Sequence, residues 1–291
     1  MPWLQLKLTA TQEQSPLIEL LFENMGALSI TLGDAGDQPI LEPGLDEQPL
    51  WHETTITALF DGEADADALC SHINQSLNQD ISLQLEQQWL DDQTWERVWL
   101  EHFHPMQFGS RLWVCPDGET PDIKGAVVLK LDPGLAFGTG THPTTALCLS
   151  WLDGYEISGK TVIDYGCGSG ILAVAALLLG AKSVLAIDHD PQALQATTDN
   201  AEKNGVADRL TITLPKKAPD IQADIMLANI LAGPLIELAT KLANMVNPGG
   251  EIILSGILQE QAERVSRAYQ PHFTKLSKQT REDWVLLHGE S

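Results

Sequence analysis

The stretch TVIDYGCGSGILAVAAL, beginning at Thr161, constrains this chain more than any other. An apolar strand runs into Asp164, glycines alternate at Gly166, Gly168 and Gly170, and an apolar helix follows. Alternate glycines let the backbone turn tightly and approach a ligand closely, while the start of the helix offers unpaired N–H groups. Strand, glycine turn and helix in this order form the repeating unit of a doubly wound parallel sheet. The chain from Thr144 onward keeps that alternation. Strands are expected at 161–165, 183–187, 210–214, 223–228 and 250–255, with 272–279 and 283–288 as a closing antiparallel pair.

The spacing of the glycines restricts the ligand. Dinucleotide binders use G-x-G-x-x-G, whose third glycine lies in the helix and admits a pyrophosphate, whereas this loop reads D-x-G-x-G-x-G. A carboxylate at Asp164 repels a phosphate and suits an ammonium group, such as the methionine end of S-adenosylmethionine. A second carboxylate, Asp188, ends the apolar strand SVLAI, 24 positions on. It can accept hydrogen bonds from both ribose hydroxyls, or it can cap the helix that starts near Pro191, a task open equally to Asp190.

Two further segments carry chemistry. In LDPGLAFGTGTHPTTALCL, Gly134, Gly138 and Gly140 stand among the hydroxyls of Thr139, Thr141 and Thr145, and Pro143 opens a helix. Phe137 can lie against a sulfonium or an adenine, since a cation over a ring face is favoured by about 0.5–2 kcal/mol. His142 can equally serve as a helix-start histidine bonded to backbone or as a ligand contact. In DIMLANILAGPL, Asn229 follows an apolar strand at the edge of the sheet where open α/β folds bind ligands. Its amide carbonyl can orient a substrate amine, or its side chain can cap the next helix.

Ahead of these motifs the order strand-helix-strand appears twice, in WLQLKLTA, SPLIELLFENMG and ALSITLGD, then in TTITALFDG, ADADALCSHINQSL and ISLQLEQQWL. That is a ferredoxin-like α+β arrangement. Ser15 with Pro16 reads as N-cap and first-turn pair of the first helix, and Gly26 as its end. DQTWERVWLEH, from Asp92, reads as a linker helix that ends before His104-Pro105, and SRLWVCP and GAVVLKLDP read as two strands.

Charge is spread unevenly. The formal net charge is −23, and residues 1–104 hold two basic against 19 acidic residues, leaving −6 for the rest. A segment at −17 argues against nucleic acid, which needs a basic footprint, and it fits either a basic protein partner or a solubilising surface. The four cysteines form no CxxC pair and no His stands at metal-ligand spacing, so zinc and redox-motif chemistry are excluded. The start MPWLQLKLTATQEQ has no secretory pattern, and the apolar run Ile171–Leu179 is too short for a membrane span, so a cytoplasmic protein is expected.

Taken together, the D-Y-G-C-G-S-G loop, Asp188 and the strands that follow resemble class I S-adenosylmethionine-dependent methyltransferases. F-G-T-G-T-H-P-T-T from Phe137, A-N-I-L-A-G-P-L from Ala228, G-K-T-V-I-D-Y-G-C-G-S-G and the opening W-L-Q-L are similar, more narrowly, to the bacterial ribosomal protein L11 methyltransferase family. That resemblance spans essentially the whole chain. It implies a ferredoxin-like substrate-recognition domain over 1–91, a helical linker over 92–104 and a Rossmann-like methyltransferase domain over 105–291. It also implies methylation of lysine ε-amino groups and the α-amino terminus of that basic protein. Cofactor contacts carry over to Thr145, Gly166, Asp188 and Asn229, beside Asp164, Gly168, Phe137 and Thr141 read from the residues themselves. Asn229 is followed by Ile230, Leu231 and Ala232, without the Pro-Pro-aromatic lid that suits a flat amide or base, so an aliphatic amine is expected. Other acceptors weighed for the same fold are a protein glutamine, RNA or a small amine. A nucleotide-dependent oxidoreductase is opposed by the glycine spacing, and a noncatalytic adaptor by the intact loop. No side chain stands out as a catalytic base.

Overall fold

The structure, a computed structural model, describes residues 2–36, 38, 50–76, 85–90, 104–116, 118–119, 121, 123–131 and 142–291. The chain divides into two compact units, Met1–Trp95 and Glu96–Ser291.

The first unit runs β1 (Trp3–Thr11), α1 (Ser15–Asn24), β2 (Ser29–Asp34), β3 (Glu53–Phe60), α2 (Ala66–Ser76) and β4 (Glu86–Leu90). Its sheet has the order β2-β3-β1-β4 with every neighbouring pair antiparallel, the ferredoxin-like arrangement expected from the doubled pattern. Alternation puts Leu4, Leu6, Leu8 and Ala10 of β1 on the face that also buries Ile56, Ala58 and Phe60 of β3. The helices close this face with Ile18, Phe22 and Ile73, and the Phe22 and Phe60 rings meet edge-on at 6.1 Å. Full burial of each such side chain contributes about 1.5–3 kcal/mol.

One expectation about this unit is corrected. Gln14, not Ser15, occupies the N-cap of α1. The chain leaves β1 through a tight turn in which Gln14 N–H bonds to the Thr11 carbonyl and Thr11 N–H to Gln14 Oε1, each at 3.0 Å. Ser15 is drawn into the first helical turn, where its hydroxyl donates to the Thr11 carbonyl. Gly26, at φ +86°, ends the helix as expected, and Ala27 N–H reaches back to the Phe22 carbonyl. The expected linker helix lies outside the described residues, apart from His104.

The second unit opens with a small sheet of β5 (Met106–Phe108), β6 (Leu112–Cys115) and β7 (Val127–Lys130), in which β5 and β6 are antiparallel and β6 and β7 parallel. The sequence pattern marks β6 and β7. β5, three residues long, is too short to show a period. Then come α3 (Pro143–Gly154), β8 (Thr161–Tyr165), α4 (Ile171–Leu178), β9 (Ser183–Ile187), α5 (Pro191–Lys203), β10 (Leu210–Thr213), β11 (Ala223–Asn229), α6 (Ala232–Glu237), α7 (Ala239–Asn244), β12 (Val246–Leu258), α8 (Ala262–Tyr269), β13 (Lys275–Arg281) and β14 (Trp284–Glu290).

The large sheet has the order β10-β9-β8-β11-β12-β14-β13. The first five strands are parallel, and β14 runs antiparallel to both β12 and β13. β8, β9 and β10 build outward in one direction and β11 and β12 in the other, so the chain reverses between β8 and β11. Open α/β sheets bind ligands at that switch point, beyond the carboxyl ends of the strands. Every residue of α4 from Ile171 to Leu177 is buried, which explains a helix that is apolar all round. β12 extends past the expected 250–255 at both ends. Its register shifts between Leu254 and Ile257, where Gly256 adopts φ +82°.

The carboxylate of Asp153, at the end of α3, ties the β5–β6 turn to the sheet's helical layer. It is 5% exposed and accepts from the backbone N–H groups of Ser110, Arg111 and Leu112 and from the Ser110 hydroxyl. Among the described residues, no helix is long and apolar enough to cross a membrane.

Candidate active site

The glycine loop is a left-handed turn at three alternate residues, with φ of +79°, +53° and +75° at Gly166, Gly168 and Gly170. Conformations of this kind cost a residue with a Cβ roughly 1–2 kcal/mol, which accounts for the spacing seen in the sequence. The loop is tied down from two sides. Gly166 and Cys167 N–H both donate to the Ile187 carbonyl at the end of β9, at 2.7 and 3.1 Å. From α5, the Thr197 hydroxyl donates to the Gly168 carbonyl at 3.0 Å and Asn200 Nδ2 to the Ser169 carbonyl at 2.8 Å. Thr197 and Asn200 were not anticipated from the sequence. No local sequence signal marks them: they are polar residues three positions apart on α5, and it is the fold that buries them beside Ala193 and Ala201.

Asp188 stands at the end of β9, 8% exposed, and accepts from Gly168 N–H on Oδ2 at 2.9 Å and from Asp190 N–H on Oδ1 at 3.0 Å. Asp190 caps α5, accepting from Gln192 N–H at 2.9 Å. The capping alternative for Asp188 is therefore filled by its neighbour.

Asp164, at the sheet end of the loop, is 1% exposed. Its Oδ2 accepts from Ala173 N–H in the first turn of α4 at 3.1 Å, and its Oδ1 has no hydrogen-bond partner among the described residues. Burial pushes its pKa up to about 7, against the pull of the Ala173 N–H and with a further upward push from the Asp188 charge.

Across the switch point, Asn229 ends β11 and donates from Nδ2 to Thr145 Oγ1 at 3.3 Å. Thr145 sits in the first turn of α3 and is 1% exposed. The start of α3 is held by Ser255 of β12, whose hydroxyl donates to the Thr144 carbonyl at 3.1 Å. Asn229 does not cap the next helix, because Leu231 occupies that position and, among the described residues, no side chain caps α6. His142 does cap α3. Its Nδ1 accepts from Thr144 N–H at 3.3 Å, its ring meets Trp284 edge-on at 4.8 Å, and burial lowers its pKa against the charge of Glu282. The backbone-bonded alternative for His142 is the one the structure shows.

The two halves touch at Gly166, where a Cβ would stand 2.2 Å from Cγ2 of Ile230. The structure thus brings Asp164, Gly166, Gly168 and Asp188 together on one side and Thr145 and Asn229 on the other. Phe137 and Thr141 lie outside the described residues, as do Thr139, Gly134, Gly138 and Gly140. Among the described residues no group of His, Cys, Asp and Glu side chains could hold a metal ion.

These residues fit a nucleoside bearing a cationic tail. The loop approaches closely where no Cβ is present, Asp188 stands where a ribose is held in folds of this kind, and the orphaned Oδ1 of Asp164 calls for a donor. A seven-stranded sheet of this order with a D-x-G-x-G-x-G turn at its switch point defines a Rossmann-like S-adenosylmethionine-dependent methyltransferase.

Comparison with known proteins narrows the class. The sequence model of the family described as ribosomal protein L11 methyltransferase matches residues 2–291. The protein of that name from Hahella chejuensis is 51% identical over 289 residues, covering 99% of this chain and 98% of its own. Its counterpart from Pseudomonas aeruginosa is 51% identical over 290 residues, with the same coverage of both chains. A crystal structure of a ribosomal protein L11 methylase from Lactobacillus delbrueckii subsp. bulgaricus aligns with a TM-score of 0.59 at 35% identity, covering 65% of this chain and 98% of that one. The chain belongs to the ribosomal protein L11 methyltransferase family. It is a methyltransferase, and S-adenosylmethionine is its methyl donor.

Proposed function

We propose that this protein methylates lysine ε-amino groups and the α-amino terminus of ribosomal protein L11 in the cytoplasm. Residues 1–91 hold the substrate, 92–104 link the two parts and 105–291 carry out the transfer. The observation that carries this reading is the Asn229–Thr145 pair. The Thr145 hydroxyl takes the Asn229 N–H and leaves the amide carbonyl, which has no hydrogen bond among the described residues, to accept from an amine. The residues after Asn229 are aliphatic, as suits a lysine stem, and the −17 charge of residues 1–104 suits a basic protein.

S-adenosylmethionine supplies a methyl group already activated on a sulfonium. The protein's part is therefore to bind and orient. Asp188 and the glycine loop fix the nucleoside, with Asp164 at its cationic end, and Asn229 aligns the amine. An amine with a reference pKa of about 10.4 needs roughly 4.6 kcal/mol to lose its proton at pH 7. Closure of the site against water and repulsion by the sulfonium lower that cost, and no side chain is assigned as a base.

The test is to incubate the protein with isotope-labelled cofactor, purified L11 and a cell lysate, then identify the labelled residues by mass spectrometry. Label on lysine and α-amino groups of L11 is expected. Label on RNA, on a glutamine or on a small amine, with none on L11, overturns the reading.

A further inference from the structure

Among the described residues of the site, Asp164 carries a buried side-chain oxygen with no hydrogen-bond partner. A carboxylate carries about four lone-pair sites, and one buried so deeply is ordinarily met by several donors or by a cation. Among the described residues Asp164 receives one N–H, from Ala173. The loop's other N–H groups go elsewhere: Gly166 and Cys167 donate to the Ile187 carbonyl, Gly168 to Asp188 and Gly170 to the Cys167 carbonyl. No Lys, Arg or His pairs with Asp164 among the described residues.

The ionisable groups on the surrounding elements do not compensate. From the end of β9 comes the like charge of Asp188, with His189 against its Oδ1 at 3.3 Å and almost wholly in solvent. From the loop and from α3 come the thiols of Cys167 and Cys148, both held neutral by burial. α4 contributes only apolar side chains. Lys241 of α7 bonds to the Tyr165 hydroxyl at 3.1 Å.

We propose that Asp164 holds a proton in the ligand-free enzyme and releases it when the ammonium group of the methyl donor pairs with Oδ1. The inference rests on the glycine loop being the cofactor site. The exchange balances simply: the carboxylic O–H breaks, its proton goes to the buffer, and the ammonium keeps all of its own protons. A neutral buried carboxyl becomes an ion pair, so no uncompensated charge is buried at either stage. The upward push on this group, to about 7, agrees in direction.

The experiment is calorimetric titration of the full-length protein in two buffers of different ionisation enthalpy, between pH 5.5 and 7. That window lies below the range of about 7.7–8.0 in which an α-amino group itself titrates. With S-adenosylmethionine, release close to one proton at pH 5.5 and about half a proton at pH 7 is expected, and affinity rises about eightfold from pH 5.5 to 6.5. S-adenosylhomocysteine, which keeps the ammonium, gives the same release. 5′-Methylthioadenosine, which lacks it, gives none. Asp164→Asn binds S-adenosylmethionine without release and with affinity flat across the window.

Tight binding without proton release overturns the proposal while leaving the cofactor site intact, as does release from methylthioadenosine or undiminished release in Asp164→Asn. Should that variant fail to fold, the comparison of ligands in the parent protein decides alone. If none of the three ligands binds, the assignment of the loop fails instead.

Discussion

Ile230 occupies the space that a side chain on Gly166 would need, its Cγ2 lying 2.2 Å from the position of a Cβ there. A Cβ on Gly256 would stand 2.3 Å from the Ile230 carbonyl oxygen. One residue of the β11–α6 corner is thus seated between two glycines, one in the glycine loop after β8 and one in the β12 bulge. The seat fixes Asn229, its immediate neighbour.

The first prediction follows from the difference between these contacts. Gly166→Ala should weaken S-adenosylmethionine binding tenfold or more, because it adds both the clash and about 1–2 kcal/mol of left-handed strain. Adding Ile230→Ala removes the clash but not the strain, so part of the affinity returns. Gly256→Ala meets backbone and is not relieved by Ile230→Ala. Calorimetry and thermal melting of the four variants check this, and absence of any recovery in the Gly166→Ala, Ile230→Ala pair would show that the contact is unimportant.

Asp188, as the proposed ribose ligand, and Asp190, which caps α5, should respond differently to substitution. Asp188→Ala should cost about 1–3 kcal/mol of cofactor affinity, equally for S-adenosylmethionine and S-adenosylhomocysteine, since both carry the ribose. Asp190→Ala should cost about 1 kcal/mol of folding stability and leave affinity unchanged. Denaturant titrations beside binding isotherms distinguish them, and the opposite pattern would exchange their roles.

Asn229 should act on rate rather than on cofactor affinity. Asn229→Ala is expected to lower kcat roughly a hundredfold by releasing the amine from its alignment. Thr145→Val, which removes the acceptor of Asn229 Nδ2, should lower it about tenfold through the misplaced amide. Steady-state kinetics on L11 at saturating cofactor measures both. A fall in cofactor affinity with kcat intact would place the pair on the nucleoside instead.

What the sequence made visible were features carried within one element or one loop. The strands of the large sheet show as apolar runs between glycine turns, and the D-x-G-x-G-x-G spacing marks the site because its φ values demand it. Contacts that join distant residues do not show in this way. The seating of Ile230 joins residues 166, 230 and 256, and nothing local to Gly256 announces it. Thr197 and Asn200 read as ordinary polar residues on an amphipathic helix until the fold turns them toward the loop. The missing partner of Asp164 is a property of packing. Ser15 does not take the N-cap because Gln14, a weaker capping residue, is held there by the turn leaving β1.

Asp153 gives a pH-dependent prediction. Burial raises its pKa, but the N–H groups of Ser110 and Arg111, the Ser110 hydroxyl and the Arg111 charge outweigh that, and the net shift is downward. A carboxyl whose folded pKa lies below the unfolded value of about 3.9 contributes stability that is full above that pH and lost as pH falls through the folded value. Asp153→Ala should therefore destabilise by roughly 3 kcal/mol near pH 7, leaving the N–H groups of Ser110, Arg111 and the buried Leu112 without their acceptor. The gap between parent and variant should narrow below about pH 4. Urea denaturation from pH 7 to 3 measures it, and a constant gap would mean that packing, not the charge, is what Asp153 supplies.

The charge asymmetry leads to a prediction about substrate recognition. Residues 1–104 carry −17, whereas the remainder of the chain carries −6. The glycine loop, Asp188, Thr145 and Asn229, proposed to hold the cofactor and the amine, all belong to the unit Glu96–Ser291. Deleting residues 1–91 should leave S-adenosylmethionine affinity unchanged while abolishing methylation of intact L11. In the full-length protein, KM for L11 should rise as salt increases from 0.05 to about 0.3 M, because attraction between an acidic surface and a basic protein is screened as the Debye length shrinks from about 14 to about 6 Å. KM for a short lysine peptide, which needs only the catalytic pocket, should respond far less. Methylation of L11 by the truncated protein at the parent rate would show that the acidic unit is not the recognition element. A KM for L11 that is flat with salt, together with loss of activity on truncation, would instead show that the unit recognises its substrate through shape and apolar contact rather than charge.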